Sequence, residues 1–263
     1  MKILITGICG FIGFHVANKI FTSNKNIKVI GIDNLNDYYD LELKKTRLAI
    51  LNKKKIKILK IDIRNKNQLE NLFLKNKFDK VIHFAAQAGV RLSFEKPEIY
   101  FDNNIFGFYN LIDCIKKFKI KSFIYSSSSS VYGDTTKFPL KENMKGLKTV
   151  SFYGYTKKNN EELAEYYSKN YGLSIIGLRY FTVYGPYGRP DMSPYIFTNN
   201  IIKEKSVLLH NNGHHSRDFT NIEDVADIIN KLLIKNIGKG HKIFNICSSS
   251  PISLVNFINI IEK

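Results

Sequence analysis

Short apolar runs recur along this chain at 2–6, 28–32, 56–61, 79–84, 121–126 and 174–180, and the stretches between them repeat apolar residues at helical spacing. Runs of this length fit strands, and repeated alternation of strand and helix predicts an α/β fold with a parallel, doubly wound sheet. Ligands of such sheets sit beyond the carboxyl ends of the strands. The unusual residues gather at those ends: a glycine turn, Asp33, Asp62, Ala85-Ala-Gln87, Ser126–Ser130 and Tyr180-Phe-Thr182. After Tyr184-Gly-Pro-Tyr-Gly-Arg-Pro190 the pattern loosens into short elements, and Ile252–Ile261 reads as a helix. The expected division is a nucleotide-binding domain over 1–175 and a smaller substrate-binding lobe over 176–263. No repeat or low-complexity linker interrupts it.

The chemistry begins at the first strand. Lys2-Ile-Leu-Ile-Thr6 leads into Gly7-Ile-Cys-Gly-Phe-Ile-Gly13, and a helical pattern follows through Phe21. Strand, glycine turn and helix form a dinucleotide site: Gly7 permits the turn, Gly10 lets a pyrophosphate approach the backbone, and Gly13 lets helix and strand pack closely. The helix N-terminus supplies donors for the phosphates. Asp33, 20 residues after Gly13, closes the second run. Its carboxylate can accept hydrogen bonds from an adenosine ribose and would repel a 2′-phosphate, which predicts NAD rather than NADP. Tyr153 and Lys157 stand at i and i+4, on one face of a helix. A nearby ammonium stabilises a phenolate, so the pair can move a proton on or off a sugar hydroxyl while a cofactor takes the hydride.

Composition narrows the partners. With 263 residues, 44% of them hydrophobic, the chain can bury a sizeable core. The opening apolar run is too short for a signal peptide, and no run is long enough to span a bilayer. Cys9, Cys114 and Cys247 are widely spaced, and the histidines lack ligand spacing, although His214 and His215 adjoin Arg217. No metal site is expected. The net charge of +17 is spread along the chain, with one cluster at Lys53-Lys-Lys-Ile-Lys57 and no nucleic-acid motif, so it reads as solvated surface. The expectation is a reduced, cytoplasmic, soluble protein that engages neither nucleic acid nor membrane.

Together these motifs resemble an extended short-chain dehydrogenase/reductase, and more closely the nucleotide-sugar epimerases. The matching segments are Thr6-Gly-x-x-Gly-Phe-Ile-Gly13, Gly31-Ile-Asp-Asn-Leu-Asn-Asp-Tyr-Tyr39, His83-Phe-Ala-Ala86, Ser126-Ser-Ser-Ser-Ser-Val-Tyr-Gly133 and Arg217-Asp-Phe-Thr220. Ala86-Gln-Ala-Gly-Val-Arg91, Arg179-Tyr-Phe-Thr-Val-Tyr-Gly-Pro186 and Gly188-Arg-Pro-Asp-Met192 are similar to the UDP-glucuronate 4-epimerases in particular. The resemblance implies a Rossmann-type fold with NAD held by Gly7, Gly10, Phe11, Ile12, Gly13, Asp33, Asn34, Asp62, Ile63, Ala85, Ala86, Gln87, Asn104, Tyr153, Lys157 and Tyr180. It implies catalysis by Ser128, Tyr153 and Lys157. Tyr153 as phenolate takes the 4-hydroxyl proton while C4 gives hydride to NAD, Lys157 depresses the tyrosine pKa, and Ser128 hydrogen-bonds the 4-oxygen.

A UDP-sugar substrate would meet Arg91, Arg189 and Arg217, and Ser129, Ser130 and Thr182 could receive a uronate carboxylate. Tyr132 and Tyr155 are expected to pack. A homodimer through helices near 98–118 and 153–170 is implied in the same way. Family chains usually continue beyond Lys263, so the substrate lobe is expected to be truncated. Asn159-Asn160 falls within the Tyr–Lys helix, where better helix formers are expected. The remaining alternatives are a neutral-sugar 4-epimerase, a dehydratase or decarboxylase, and a catalytically silent NAD-binding regulator. Dehydratases of this group carry an Asp-Glu pair after the catalytic hydroxyl residue, and decarboxylases a Glu before Val-Tyr-Gly; here Ser129 and Ser130 occupy those positions.

Overall fold

The computed structural model describes residues 1–262 except 210–212, 214, 215, 236 and 237, so His214 and His215 lie outside the described residues. The strands are β1 (Lys2–Thr6), β2 (Lys28–Asp33), β3 (Lys57–Lys60), β4 (Lys80–His83), β5 (Ser122–Ser128), β6 (Ser174–Tyr180), β7 (Thr182–Tyr184), β8 (Ser216–Arg217), β9 (Phe219–Asn221), β10 (Gly240–Ile246) and β11 (Ile252–Ser253). Seven of them form a parallel sheet in the order β10-β6-β5-β4-β1-β2-β3. The chain winds outward from β1 to β3 and then returns past β1 to β4. That reversal leaves a crevice between β1 and β4 at the carboxyl edge. Two small ribbons, β8–β11 and β7–β9, stand apart from the sheet.

The helices are α1 (Phe11–Ser23), α2 (Leu41–Lys53), α3 (Lys66–Lys75), α4 (Leu92–Glu95), α5 (Pro97–Tyr100), α6 (Gly107–Lys117), α7 (Phe152–Tyr171), α8 (Ser193–Ile202), α9 (Ile222–Ile234) and α10 (Leu254–Ile261). A π-helical turn, Phe101–Phe106, joins α5 to α6. Successive strand residues point to opposite faces, and β1 shows the result. Ile3 and Ile5 join a core with Val16 and Ile20 of α1 and Val225 and Ile229 of α9. Leu4 joins the opposite core, with Leu69 of α3, Leu111 of α6 and Ala164 of α7. A third, smaller cluster of Phe197, Leu254 and Phe257 unites α8 with α10.

The six expected strands lie within two residues of their apolar runs. The periodicity missed β10, which pairs with β6 from Gly240↔Ser174 to Ile246↔Tyr180. As an edge strand it is only half-buried, and His241, Lys242 and Asn245 break its apolar run. The helix expected over 252–261 gives up its first two residues to β11 and starts after Ser253, whose hydroxyl caps it by accepting from the Asn256 N–H at 3.2 Å. Helix α7 runs unbroken through Asn159 and Asn160, capped by Ser151 Oγ and ended by left-handed Gly172. Among the described residues, no helix is long and apolar enough to cross a membrane.

Candidate active site

A cavity of about 1400 Å³ occupies the crevice at the β1–β4 reversal. At one end, Gly7 leaves β1 with φ +67° and donates its N–H to Ile32 O at 2.8 Å. A Cβ here would lie 2.5 Å from the Ala85 nitrogen, and one on Gly13 would lie 2.3 Å from Gly7 O. The turn is therefore packed backbone against backbone, and only glycine fits. Gly10 precedes α1 without a side-chain cap, and Gly10, Phe11, Ile12 and Gly13 line the cavity. The unpaired N–H groups of that first helical turn suit a phosphate.

Asp33 ends β2, buried on the cavity wall. Its Oδ2 accepts from Cys9 N and its Oδ1 from Leu35 N, each at 2.9 Å, and each oxygen keeps another lone pair. Crowded glycines beside an acidic strand end fit the pyrophosphate and ribose of a dinucleotide. Lys44 of α2 also lines this end and donates to Asn36 O at 2.7 Å. Burial pushes its ammonium below the ordinary value, while Asp33 opposes that shift. Lys44 is one of many lysines in its stretch, so nothing in the chain marks it; only the docking of α2 places it here.

The other residues expected at the cofactor divide between wall and support. Asn34, Ile63, Ala85, Ala86, Gln87 and Tyr180 line the cavity. Asp62 lies outside the wall, where Arg64 donates to it through Nε at 3.0 Å and Nη2 at 2.8 Å and Asn34 Nδ2 donates at 3.0 Å. Burial raises the Asp62 carboxyl, but these hydrogen bonds outweigh it and hold the group at about 2. Asn104 is buried behind Gln87: its Oδ1 accepts from Gln87 N at 2.7 Å, and its Nδ2 donates to Gln87 O at 3.0 Å and Thr156 Oγ1 at 3.1 Å. Its neighbour Asn103, in the π-helical turn, reaches the cavity instead. Such turns often accompany functional sites.

Ser128, Tyr153 and Lys157 meet midway along the cavity. Strand alternation sends Ser127 the other way, where it donates to Glu161 Oε1 at 2.5 Å. Glu161 also receives Arg179 Nε at 2.8 Å and Nη2 at 2.7 Å, a buried fork that ties α7 to β6 behind the serines. Ser128 Oγ accepts from Ser130 N and donates to Ser130 Oγ, both at 3.1 Å. Lys157 Nζ donates to Ser126 O at 3.0 Å and lies 5.9 Å from the Tyr153 ring centroid. The expected depression of the tyrosine pKa by Lys157 is not what this arrangement gives. Burial pushes the Tyr153 phenol up, only partly offset by the Ser128 hydroxyl and the Arg189 charge. It also pushes the Lys157 ammonium down to about 8. Desolvation penalises each charged form separately.

At the far end, Ser129, Ser130, Thr182, Arg189 and Arg217 line the wall. Arg189 Nε donates to Asp191 Oδ1 at 3.0 Å, and Tyr38 donates to Asp191 Oδ2 at 3.0 Å. Arg217 is exposed and donates to Ser216 O at 3.0 Å, while Asp218 is engaged by Ser248 and Ser250. Arg91 is exposed at the start of α4, outside the cavity wall. Tyr132 is buried and donates to Asn245 Oδ1 at 2.7 Å, whereas Tyr155 is half exposed and stacks on Phe152. Tyr38, Lys44 and Asn103 also line the cavity and were not foreseen there, because tertiary contacts that periodicity does not carry bring them to it. Among the described residues, no group of three His, Cys, Asp or Glu could hold a metal ion.

Comparison with known proteins places this geometry. The model of the "NAD dependent epimerase/dehydratase family" matches residues 3–247. UDP-glucuronate 4-epimerase 4 of Arabidopsis thaliana is 41% identical over all of this chain, which covers 63% of that protein. A crystal structure of UDP-glucuronic acid 4-epimerase from Bacillus cereus, in complex with UDP-glucuronic acid and NAD, superimposes with a TM-score of 0.92 at 33% identity. It matches all of this chain and 82% of its own. UDP-glucose 4-epimerase from Thermotoga maritima, solved with UDP-glucose, gives a TM-score of 0.88 at 29% identity, again over all of this chain and 82% of its own.

Proposed function

Because the chain belongs to the NAD dependent epimerase/dehydratase family, we propose that this NAD-dependent nucleotide-sugar epimerase interconverts UDP-glucuronate and UDP-galacturonate. One observation carries the choice of sugar. Ser128, Tyr153 and Lys157 share a cavity with three uncharged hydroxyl donors, Ser129, Ser130 and Thr182, suited to a uronate carboxylate.

When bound along the glycine turn, NAD supplies a reversible hydride acceptor for the sugar C4. Tyr153 takes the proton of the 4-hydroxyl and later returns it, and Ser128 hydrogen-bonds the 4-oxygen throughout. Help of this kind is worth about 10²–10⁴ in rate. Burial disfavours the Tyr153 phenolate, and the Ser128 hydroxyl and the Arg189 charge oppose that shift, so these two neighbours ease the proton's departure from Tyr153. The transient 4-keto sugar then presents its other face. Oxidation at C4 leaves a ketone β to the carboxylate, poised to lose carbon dioxide. Donors on the carboxylate that hold it near the carbonyl plane keep the breaking bond out of line with the π system, and Ser129, Ser130 and Thr182 supply them.

The test is incubation of the purified protein and NAD with UDP-glucuronate and, separately, UDP-glucose, with chromatographic resolution of the products. UDP-galacturonate as the main product supports the reading. Mainly UDP-pentose, or turnover of UDP-glucose alone, refutes it and leaves a decarboxylase or a neutral-sugar epimerase.

A further inference from the structure

We infer that Arg47 is a positioning residue that locks the glycine turn to the loop carrying Arg189, so that the cofactor end and the sugar end of the cavity keep one relative arrangement. Arg47 lies on α2 and is fully buried. Its Nη1 donates to Cys9 O at 3.0 Å and to the Tyr39 hydroxyl at 2.6 Å, and its Nη2 donates to Tyr187 O at 2.6 Å. Those acceptors belong to three separate segments: the glycine turn, the loop after β2 and the loop after β7. All three are neutral, and Arg47 Nε has no hydrogen-bond partner. Burying a guanidinium against neutral acceptors alone is costly. A residue kept only to fill that space would be cheaper as Met or Leu.

The backbone it holds is itself strained. Tyr187 adopts φ +55°, a left-handed conformation unfavourable for a side chain other than glycine, and its carbonyl is the one that Arg47 Nη2 grips. The same loop is fastened to α1, where His15 Nε2 donates to Pro186 O at 2.9 Å and the Tyr187 ring packs edge-on against Phe14 at 5.4 Å. Arg189 follows two residues later and lines the cavity with Tyr153. On the other side, Cys9 takes part in both arrangements: its N–H donates to Asp33 and its carbonyl accepts from Arg47. A planar fork with fixed donor directions can span these acceptors, and an ammonium on a flexible stem cannot.

The activity part of the test rests on the function proposed above; the exchange part does not. Hydrogen–deuterium exchange of R47M and R47K should accelerate about tenfold or more at 185–191, with the central strands unchanged. In both variants kcat for UDP-glucuronate should fall about 10- to 100-fold while KM moves less than about threefold. In an R189M background, R47M should cost less than a further factor of about two, because Arg47 acts through Arg189. Unchanged exchange at 185–191 overturns the inference, as does global unfolding of both variants or an equal kcat loss in the R189M background. If the parent protein does not turn over UDP-glucuronate, the substrate assignment fails, and the exchange experiment still decides whether Arg47 holds the loop.

Discussion

At the residue scale, the chemistry of the site depends on single atoms. Tyr153→Phe removes only the ionisable oxygen and leaves the ring to pack, so epimerase activity should fall below about a tenth of the parent rate with folding and NAD binding preserved. Circular dichroism and a cofactor titration check the second half of that statement. Thr182→Ala should raise the UDP-pentose fraction of the products by loosening the carboxylate clamp; an unchanged fraction would remove Thr182 from that role. His83 carries the pH dependence. It is fully buried, its Nδ1 lies 2.7 Å from Thr6 Oγ1, and burial with the Lys157 charge pushes it down to about 3. The unfolded chain takes up a proton below the ordinary value near 6.5 and the folded chain does not, so stability is lost as pH falls from there toward 3. The loss should be on the order of 2 kcal/mol by pH 5, read by urea unfolding, and His83→Asn should flatten it. That Tyr153, Lys157, Asp33 and the glycines share one cavity was legible, because their spacing sets them at strand ends and on one helix face. The places of Lys44 and Tyr38 on the cavity wall were not, because the docking of α2 and the path of the loop before it are fixed by tertiary contacts.

Elements decide where those atoms stand. Gly13 lets α1 start against the turn: with its would-be Cβ only 2.3 Å from Gly7 O, alanine must push the helix away. Gly13→Ala should destabilise the fold by about 1–3 kcal/mol and weaken NAD binding more than tenfold, measured by thermal unfolding with and without cofactor; a parent-like cofactor affinity would refute the packing argument. Strand β5 shows how one element serves two purposes. The Ser127 hydroxyl meets the buried Glu161–Arg179 fork while Ser128 lines the cavity, so a slip of one residue would exchange the hydroxyl on the fork with the one proposed to meet the sugar. The buried strands were legible as continuous apolar runs. β10 escaped because an edge position tolerates lysine and asparagine, and β11 escaped because two residues of pairing leave no period to read.

For the whole molecule, the order β3-β2-β1-β4-β5-β6-β10 brings every functional strand end to one edge, and Asp33 sits there facing the expected ribose. Isothermal titration should show NAD bound much more tightly than NADP; equal affinities would remove the discriminating role of Asp33. The sheet's margins have a bearing on how the chain stays out of aggregates. β3 begins and ends with lysine, at Lys57 and Lys60, and β10 carries Lys242. β6, one strand inside β10, is almost wholly buried from Ile175 to Tyr180. A nascent chain that has not yet reached residue 240 holds that apolar strand as an open ladder of unpaired peptide groups, able to recruit a strand from another molecule. The half-polar β10 works as a selvedge: it ends the weave with a border that does not invite another thread, and part of the chain's large positive charge is spent there.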